Sequence, residues 1–349
     1  MIEYLPWSKK VLEESMKLQR DGQIPTLDIE LTAKCTGACC IYCDSKPSVC
    51  AYEQEGEINF PTIEKLILDA KSHGLKWIYT CGLGEPLEDK KFWDMIHLLR
   101  ANDIKLSMFS NGIFIHDIHV AKELKENNVN IILKMDTFNE NKFNAVLGRK
   151  DIAKKIYAAR DLLLQAGYGK KDKYTDLAFS IVPTSLSIDG IPEVVSFCKK
   201  YGIFASIGEL EQAGEVINKN LNDTLGISSS TVKRLKEVAD DYAEGNYMRP
   251  ICPCIITGLH IDNLGNCVVD EDTGLNCKWF LLKEPRIVKI GNIQQESIIS
   301  LFERVNLYRK SCFETKSDLI KTACSVSYTF GGCGGNPKDI IEIGLKWYE

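Results

Sequence analysis

Residues 26–43 read TLDIELTAKCTGACCIYC, an apolar and β-branched run that leads directly into a cysteine-rich loop. The run is typical of a buried strand that ends where the loop begins. Four of the fourteen cysteines fall within this loop, at Cys35, Cys39, Cys40 and Cys43. Three thiolates on one short loop can bind three irons of a [4Fe–4S] cube and leave the fourth iron open to another ligand. A zinc knuckle with four protein ligands and incidental buried thiols are the alternatives.

Around this loop, short β-rich runs alternate with amphipathic stretches. The candidate strands are Thr26–Leu31, Trp77–Cys81, Lys105–Phe109, Asn130–Met135, Asp176–Val182 and Phe204–Ile207. The candidate helices are Pro61–His73, Lys91–Asn102, His116–Asn127, Lys150–Ala166 and Gly190–Tyr201. Repeated β–α units predict parallel strands with right-handed crossovers. The pattern therefore predicts an α/β fold, a partial (β/α)6 TIM-like barrel with its chemistry at the carboxyl ends of the strands.

Small and polar residues follow these strands, as a site at the carboxyl ends requires. Gly82, Gly84 and Glu85 come after the second strand, and Ser110 and Asn111 end the third. The fourth strand ends with Lys134 and Asp136, a charged pair that is costly to bury unless it is paired or faces a site. Ser180 lies on the fifth strand.

The cysteine loop and the strand ends together resemble the radical S-adenosylmethionine (SAM) superfamily, whose signature is C-x3-C-x2-C with an aromatic residue before the last cysteine. This chain has one extra residue, so the ligands are either Cys35, Cys40 and Cys43 or Cys35, Cys39 and Cys43. The first set keeps the terminal C-x-Tyr-C turn and is preferred.

The resemblance implies a radical-generating [4Fe–4S] cluster and bound SAM. It also implies roles for the residues that follow the strands. Tyr42 would lie against the adenine, and the remaining residues would meet the methionyl group, the ribose or the substrate: Gly82, Gly84, Glu85, Ser110, Asn111, Lys134, Asp136 and Ser180.

Seven more cysteines lie in the last hundred residues, and they resemble the SPASM and shorter twitch domains that append Fe–S clusters. The candidate ligands are Cys252, Cys254, Cys267, Cys277, Cys324 and Cys333, and Cys312 is expected to be a core or spare thiol. The departures from the family pattern predict one auxiliary [4Fe–4S] cluster, with two clusters or zinc as alternatives. The predicted organisation is an N-terminal extension over 1–23, the barrel over 24–212, a linker and helix over 213–249, and a loop-rich cluster domain over 250–349.

Composition limits the function classes. The chain has 349 residues, 44% apolar and 26% charged, which is ordinary for a globular protein. Its net charge of −5 argues against nucleic acid as the main substrate and so against a tRNA-modifying enzyme. The absence of a signal-like or membrane-spanning apolar run predicts a cytoplasmic protein that does not enter a membrane.

The resemblance implies an enzyme that makes a 5′-deoxyadenosyl radical and abstracts hydrogen from a peptide or small molecule. It also implies a reductant of the flavodoxin or ferredoxin type. If an auxiliary cluster accepts the remaining electron, the net reaction is an oxidation, either dehydrogenation or C–C or C–S bond formation. Asp270 and Glu271 would then be the candidate bases, although a solvated acidic turn is equally consistent with them. If a thiol such as Cys267 donates hydrogen instead, the result is epimerisation. A non-catalytic zinc-binding interaction protein is the alternative from another class.

Overall fold

The computed structural model of the chain describes residues 3–4, 9–37, 39–43, 55–80, 84–172, 174–208, 210, 216, 219–240, 258–271 and 287–315. The strands are β1 (Glu3–Tyr4), β2 (Thr26–Ile29), β3 (Trp77–Thr80), β4 (Lys105–Ser110), β5 (Val129–Lys134), β6 (Lys170–Lys171), β7 (Tyr174–Thr175), β8 (Leu177–Ile181), β9 (Phe204–Ile207), β10 (Gly258–Ile261), β11 (Asn266–Asp270) and β12 (Ile287–Asn292). The helices are α1 (Lys9–Arg20), α2 (Phe60–Ser72), α3 (Lys91–Ala101), α4 (Ile118–Glu126), α5 (Glu140–Val146), α6 (Ile152–Gln165), α7 (Ile191–Tyr201), α8 (Asn222–Leu225), α9 (Ser229–Asp240) and α10 (Ile298–Thr315).

The six predicted strands form the centre of one sheet, in the order β2-β3-β4-β5-β8-β9, and each pair of neighbours is parallel. The five predicted helices occur where the apolar periodicity places them, with ends shifted by at most two residues, and α5 is an additional helix between β5 and α6. Local signals explain the helix starts. In α2 the side chain of Asn59 accepts a hydrogen bond from the Thr62 amide at 3.0 Å, and in α4 Asp117 caps the amides of His119 and Val120. The α/β fold with a parallel partial barrel is confirmed.

The sheet continues past β2 into the C-terminal part of the chain. Strand β10 is parallel to β2, with Gly258 opposite Thr26 and Ile261 opposite Ile29, and β11 and β12 follow antiparallel. Helix α10 contributes Leu301 and Val305 to the same apolar core as the barrel strands. The sequence pattern predicts no strand after residue 210, because these strands are short and glycines interrupt them. Residues 258–271 and 287–315 are therefore ordered by the barrel sheet as well as by any metal.

The parallel strands have two distinct faces because side chains alternate along each strand. Ile29, Ile78 and Leu133 belong to the large core that the helices cover, and we name this the outer face. The opposite face, named here the inner face, carries Asp28, Tyr79, Ser107, Asn130, Lys134 and Ser180. Helix α1 covers part of the inner face, since Val11 and Leu18 pack against Trp77 and Tyr79.

A small second sheet joins β1, β7 and β6. Within the described part of the chain, none of the helices has the length and apolar character that crossing a bilayer requires.

Candidate active site

The cysteine loop after β2 is fixed by acidic side chains on either side of it. Glu57 accepts hydrogen bonds from the Ala33 amide at 2.7 Å and the Thr32 hydroxyl at 3.1 Å. Glu88 accepts from the amide and the hydroxyl of Thr36, at 2.7 and 2.5 Å. These charge-assisted bonds hold the backbone on both sides of Cys35.

Two glycines allow the neighbouring loops to approach the cysteine loop closely. Gly84 has a φ of +76°, and a Cβ there would lie 2.4 Å from the Thr32 carbonyl oxygen. Gly148 has a φ of +64°, and a Cβ there would lie 2.3 Å from the Cys39 carbonyl oxygen. The close approach expected at Gly84 is therefore made to the cysteine loop. Gly82 and Cys81 lie outside the described residues.

The segment between α5 and α6 clamps the far side of the loop. The amides of Cys39 and Ile41 donate to the carbonyls of Leu147 and Val146, at 3.1 and 3.0 Å. The Arg149 guanidinium donates to the Thr36 carbonyl at 2.6 Å. Backbone contacts therefore hold Cys39 in place, and its side chain remains exposed.

Cys40 has a different environment from Cys39. It is half-buried, packs against the main core, and forms a tight turn in which the Cys43 amide donates to the Cys40 carbonyl at 3.0 Å. Burial raises the pKa of the Cys40 thiol to about 11, the charge of Lys134 opposes the rise, and Cys43 and Asp136 add to it. The last two cysteines of the C-x-Tyr-C turn thus share one electrostatic environment with the end of β5.

Between these cysteines, Tyr42 joins a buried trio with Lys134 and Asp136. The Tyr42 hydroxyl donates to Asp136 Oδ2 at 2.6 Å and accepts a hydrogen bond from the Lys134 ammonium, which also pairs with Asp136 Oδ2 at 3.0 Å. The ammonium lies 4.5 Å from the centre of the Tyr42 ring. Asp136 is fully buried, and its other oxygen accepts from the Val182 amide at 2.8 Å. Burial raises the pKa of Tyr42 well above its ordinary value, and Asp136 adds to this, so the hydroxyl keeps its proton.

A second buried network joins β3 to the end of β4. Glu85 accepts from the Ser110 hydroxyl at 2.8 Å and from the Asn111 amide at 2.7 Å. Burial raises the pKa of Glu85 to about 7, while the hydrogen bonds from Asn111, Ser110 and Leu87 oppose the rise. The side-chain amide of Asn111 in turn donates to Cys35 Sγ at 3.7 Å. The residues predicted after the second, third and fourth strands are therefore brought to the cysteine loop, and Ser180 lies opposite Lys134 in the strand register.

An iron–sulfur cube is the group that the resemblance implies for these thiols. Each of its thiolates binds a different iron, so the sulfurs need not converge on one point. The Asn111 amide donates to the Cys35 sulfur, and the Lys134 ammonium lies beside the Cys40 and Cys43 turn. Both groups suit an anionic cluster.

One buried cluster on the inner face was not predicted. His260 of β10 contacts Asp28 Oδ2 through Nδ1 at 3.0 Å and Glu30 Oε1 through Nε2 at 3.6 Å, and all three side chains are buried. The charged residues at alternate positions of the first strand, Asp28 and Glu30, were the available signal. Their partner could not be inferred because β10 itself was not predicted.

The C-terminal candidates have mixed positions. Cys267 is fully buried in the apolar core beside Ile261 and Leu301, and burial raises its pKa to about 12, with Arg309 and Arg304 opposing the rise. This environment favours a packing role for Cys267.

Asp270 and Glu271 lie at the far end of β11, at the amino ends of the parallel strands and opposite the cysteine loop. Cys312 is buried, as expected for a core thiol. The other predicted ligands lie outside the described residues: Cys252, Cys254, Cys277, Cys324 and Cys333.

Comparison with known families decides what this arrangement is. Residues 29–178, from β2 to β8, match the profile of the Radical SAM superfamily. These residues form a radical SAM domain. Domains of this family use a [4Fe–4S] cluster together with SAM, which agrees with the cysteine loop and the strand-end residues described above.

Curated proteins similar to this chain include a probable cyclase and a maturase. A probable GTP 3′,8-cyclase of Methanocaldococcus jannaschii is 25% identical over 252 residues, which is 71% of this chain and 78% of that protein. The mycofactocin maturase MftC of Mycolicibacterium smegmatis is 25% identical over 150 residues, which is 43% of this chain and 36% of that protein.

Solved structures share the fold. SuiB of Streptococcus suis bound to its precursor peptide SuiA matches with a TM-score of 0.61 and 14% identity, over 84% of this chain and 68% of SuiB. The radical SAM protein anSMEcpe with bound AdoMet matches with a TM-score of 0.58 and 19% identity, over 83% of this chain and 81% of that chain. The partial barrel thus has counterparts among known radical SAM folds.

Proposed function

We propose that this protein is a radical SAM enzyme that abstracts hydrogen from a peptide and carries out a net oxidation. The observation that supports the proposal is the convergence of the ends of β3, β4 and β5 on the cysteine loop that follows β2. Glu85 holds Asn111 against Cys35, and Lys134 and Asp136 lie beside Cys40. Cys35, Cys40 and Cys43 would hold the cluster, which would supply the electron for reductive cleavage of SAM to methionine and a 5′-deoxyadenosyl radical. The residues of the chain would bind and orient SAM and the substrate, and they would shield the radical from water.

We assign the cluster ligands to Cys35, Cys40 and Cys43. The half-buried position of Cys40 beside Cys43 supports its assignment as a ligand. The side chain of Cys39 is exposed and its backbone amide is bonded to the Leu147 carbonyl, which supports a place outside the ligand set. The resulting C-x4-C-x2-C spacing places the extra residue in the first part of the loop.

Lys134 and Asp136 would orient the cofactor. The lysine ammonium is the right donor for the methionyl carboxylate of SAM, and its side chain, 16% exposed on the inner face, retains access to a ligand. Asp136 holds both Lys134 and the Tyr42 hydroxyl, so the ring next to the adenine and the cation next to the carboxylate share one support.

A peptide substrate is supported by relatives on two grounds. MftC is a maturase, and SuiB has been solved with a precursor peptide. The second candidate is cyclisation of a small molecule, because the probable GTP 3′,8-cyclases match a longer part of this chain. Epimerisation by a cysteine hydrogen donor has less support, because Cys267 packs on the outer face. A base role for Asp270 or Glu271 requires a substrate that reaches the amino ends of the strands.

The central test is anaerobic reconstitution with iron and sulfide, followed by quantification of 5′-deoxyadenosine after reduction with dithionite. Wild type should form 5′-deoxyadenosine, Cys40→Ser should abolish it, and Cys39→Ser should retain it. The reverse result would move the ligand to Cys39. Stoichiometric zinc with no 5′-deoxyadenosine would instead favour the zinc-binding interaction protein.

The substrate class is tested separately. The reconstituted enzyme is incubated with peptides encoded near its gene, or with GTP, each uniformly deuterated. Deuterium appearing in 5′-deoxyadenosine from the peptide alone supports the peptide proposal, and deuterium from GTP alone contradicts it.

A further inference from the structure

The side chain of Asn111 is directed at a cluster ligand and not only at the cofactor space. Its Nδ2 donates to Cys35 Sγ at 3.7 Å, within the range for a hydrogen bond to sulfur. Its Oδ1 accepts from the Ile113 amide at 2.9 Å, closing a short turn after β4. The two ends of one amide thus link the loop after β4 to the cysteine loop.

The orientation of this amide follows from its partners. Oxygen and nitrogen of an asparagine side chain are assigned from the hydrogen-bond network. The Ile113 backbone N–H can only donate, so the atom facing it must be the oxygen. The atom facing Cys35 must therefore be the N–H2 group, which can donate to a thiolate.

Asn111 is also held rigidly. It is only 8% exposed, and its backbone amide donates to Glu85 Oε2 at 2.7 Å. The Ser110 hydroxyl accepts from the Gly112 amide at 2.9 Å and donates to Glu85. A donor fixed in this way does not need to be reoriented when the charge on its acceptor changes.

We propose that Asn111 raises the reduction potential of the radical-generating cluster by donating a hydrogen bond to Cys35. The inference rests on the proposed function, because it requires Cys35 to be a cluster ligand. Reduction adds an electron to an anionic cluster, and a donor to a ligand sulfur stabilises the more negative state to a greater extent. The second N–H of the same amide remains available for SAM, so Asn111 is here a positioning residue for the cluster and keeps its predicted place beside the cofactor.

The test is a redox titration of the reconstituted protein without SAM, followed by electron paramagnetic resonance of the reduced cluster. Asn111→Ser retains an oxygen that can accept from the Ile113 amide but removes the amide N–H2 group that donates to sulfur. We expect its reduction equilibrium constant to fall about tenfold, which is about 59 mV for a one-electron couple. Asn111→Asp retains the acceptor and adds a negative charge, so its potential should fall further.

The matched control is Asn127→Ser, which removes an asparagine amide that donates to the Glu123 carbonyl at 2.9 Å at the end of α4. Its potential should equal that of wild type. A wild-type potential in cluster-loaded Asn111→Ser would overturn the proposal, because this variant withdraws the amide donor without adding a charge.

A second measurement does not depend on the variants. In wild-type protein labelled with 15N at asparagine side chains, a hydrogen bond to Cys35 predicts a weak 15N coupling to the reduced cluster in pulsed spectra. Absence of that coupling would contradict the proposal. If wild-type protein binds no cluster at all, it is the proposed function that fails, and the two failures are thereby distinguished.

Discussion

Two trios of lysine, aspartate and tyrosine lie at opposite ends of strand β5, and only one of them faces the cysteine loop. At the amino end, Lys125 pairs with Asp176, and its ammonium lies 4.5 Å from the centre of the Tyr168 ring. The Tyr168 hydroxyl donates to the Val129 carbonyl at 2.9 Å, and Asp176 accepts from the Gly169 amide at 3.0 Å. This trio fastens the starts of β5 and β8 to the preceding helices.

At the carboxyl end, Lys134 lies at the same 4.5 Å from the Tyr42 ring and is buried to the same degree as Lys125, with 16% and 15% of the side chains exposed. The carboxylate differs, because Asp136 is fully buried whereas 18% of the Asp176 side chain is exposed. The hydroxyl differs too, since Tyr42 donates to the carboxylate and not to a backbone carbonyl. The same three residue types stabilise the fold at one end of a strand and prepare a site at the other, as the geometry of parallel barrels leads one to expect.

The largest expected effect is a greater loss of stability in Asp136→Ala than in Asp176→Ala. Asp136→Ala leaves the Lys134 ammonium and the Val182 amide without their buried acceptor, and we expect the free energy of unfolding to fall by about 3–5 kcal/mol. Asp176→Ala should lower it by about 1–3 kcal/mol because solvent reaches that site. Urea denaturation of the apo protein measures both changes.

Activity is the second readout for this pair. After reconstitution, Asp176→Ala should produce 5′-deoxyadenosine at the wild-type rate, whereas Asp136→Ala should not. Equal loss of activity in the two variants would remove the functional distinction between the trios.

Glu85 is a buried carboxylate with a different kind of partner. In the described structure its hydrogen-bond donors are neutral groups, whereas Asp136 and Asp176 each pair with a lysine. The pKa of Glu85 is raised by burial from 4.5 to about 7. A carboxyl group that ionises less readily in the folded protein contributes stability below pH 4.5 and loses that contribution as the pH rises through 7. From this group alone, stability should fall by about 3 kcal/mol over that window.

Glu85→Gln provides the control for this pH dependence. The variant cannot ionise, so the difference in unfolding free energy between it and wild type should change across pH 4.5–7 and stay constant above. A difference that is flat across the whole range would show that Glu85 titrates normally in the folded protein.

The third prediction compares the two lysines as cofactor ligands. Lys134→Met should weaken SAM binding about thirtyfold, which corresponds to loss of about 2 kcal/mol from a charged hydrogen bond. Lys125→Met should leave the affinity unchanged, because that lysine lies at the other end of β5. Equilibrium dialysis of the reconstituted proteins with radiolabelled SAM measures both constants, and equal affinities in the two variants would contradict the role given to Lys134.

Much of the fold was predictable, because regular apolar periodicity and parallel strand order carry most of the information. All six central strands were predicted from their β-branched runs, and the rule that chemistry lies at carboxyl ends correctly gathered Glu85, Asn111 and Lys134 around the cysteine loop. Helix α5 was not predicted because its seven residues are too few to show a helical period. Strands β10–β12 were not predicted because they gain their order from pairing with β2, a long-range contact that local sequence does not encode.

The details of the site depended on tertiary contacts in the same way. The C-x-Tyr-C turn favoured Cys40 over Cys39. The hydrogen bond from the Cys39 amide to the Leu147 carbonyl and the packing of Cys40 on the core add support that spacing alone could not supply. The Asn-Gly turn after β4 indicated a site residue but not that its amide faces Cys35. The partner of Asp28 lies 232 residues away in sequence, on a strand that the pattern did not show.

The smallest expected effect tests the two tyrosine hydroxyls. Tyr168→Phe leaves the buried Val129 carbonyl without its donor, so we expect a loss of about 1 kcal/mol of stability with no change in SAM affinity. Tyr42→Phe should destabilise less, because Lys134 and Asp136 still pair with each other at 3.0 Å. It should nevertheless weaken SAM binding about threefold, since the ring loses the hydroxyl contacts that hold it in place. Tyr168→Phe should therefore cause the larger loss of stability, and Tyr42→Phe the larger loss of SAM affinity. An unchanged SAM affinity in Tyr42→Phe would show that the trio at the carboxyl end of β5 has only a structural role, like the trio at the amino end.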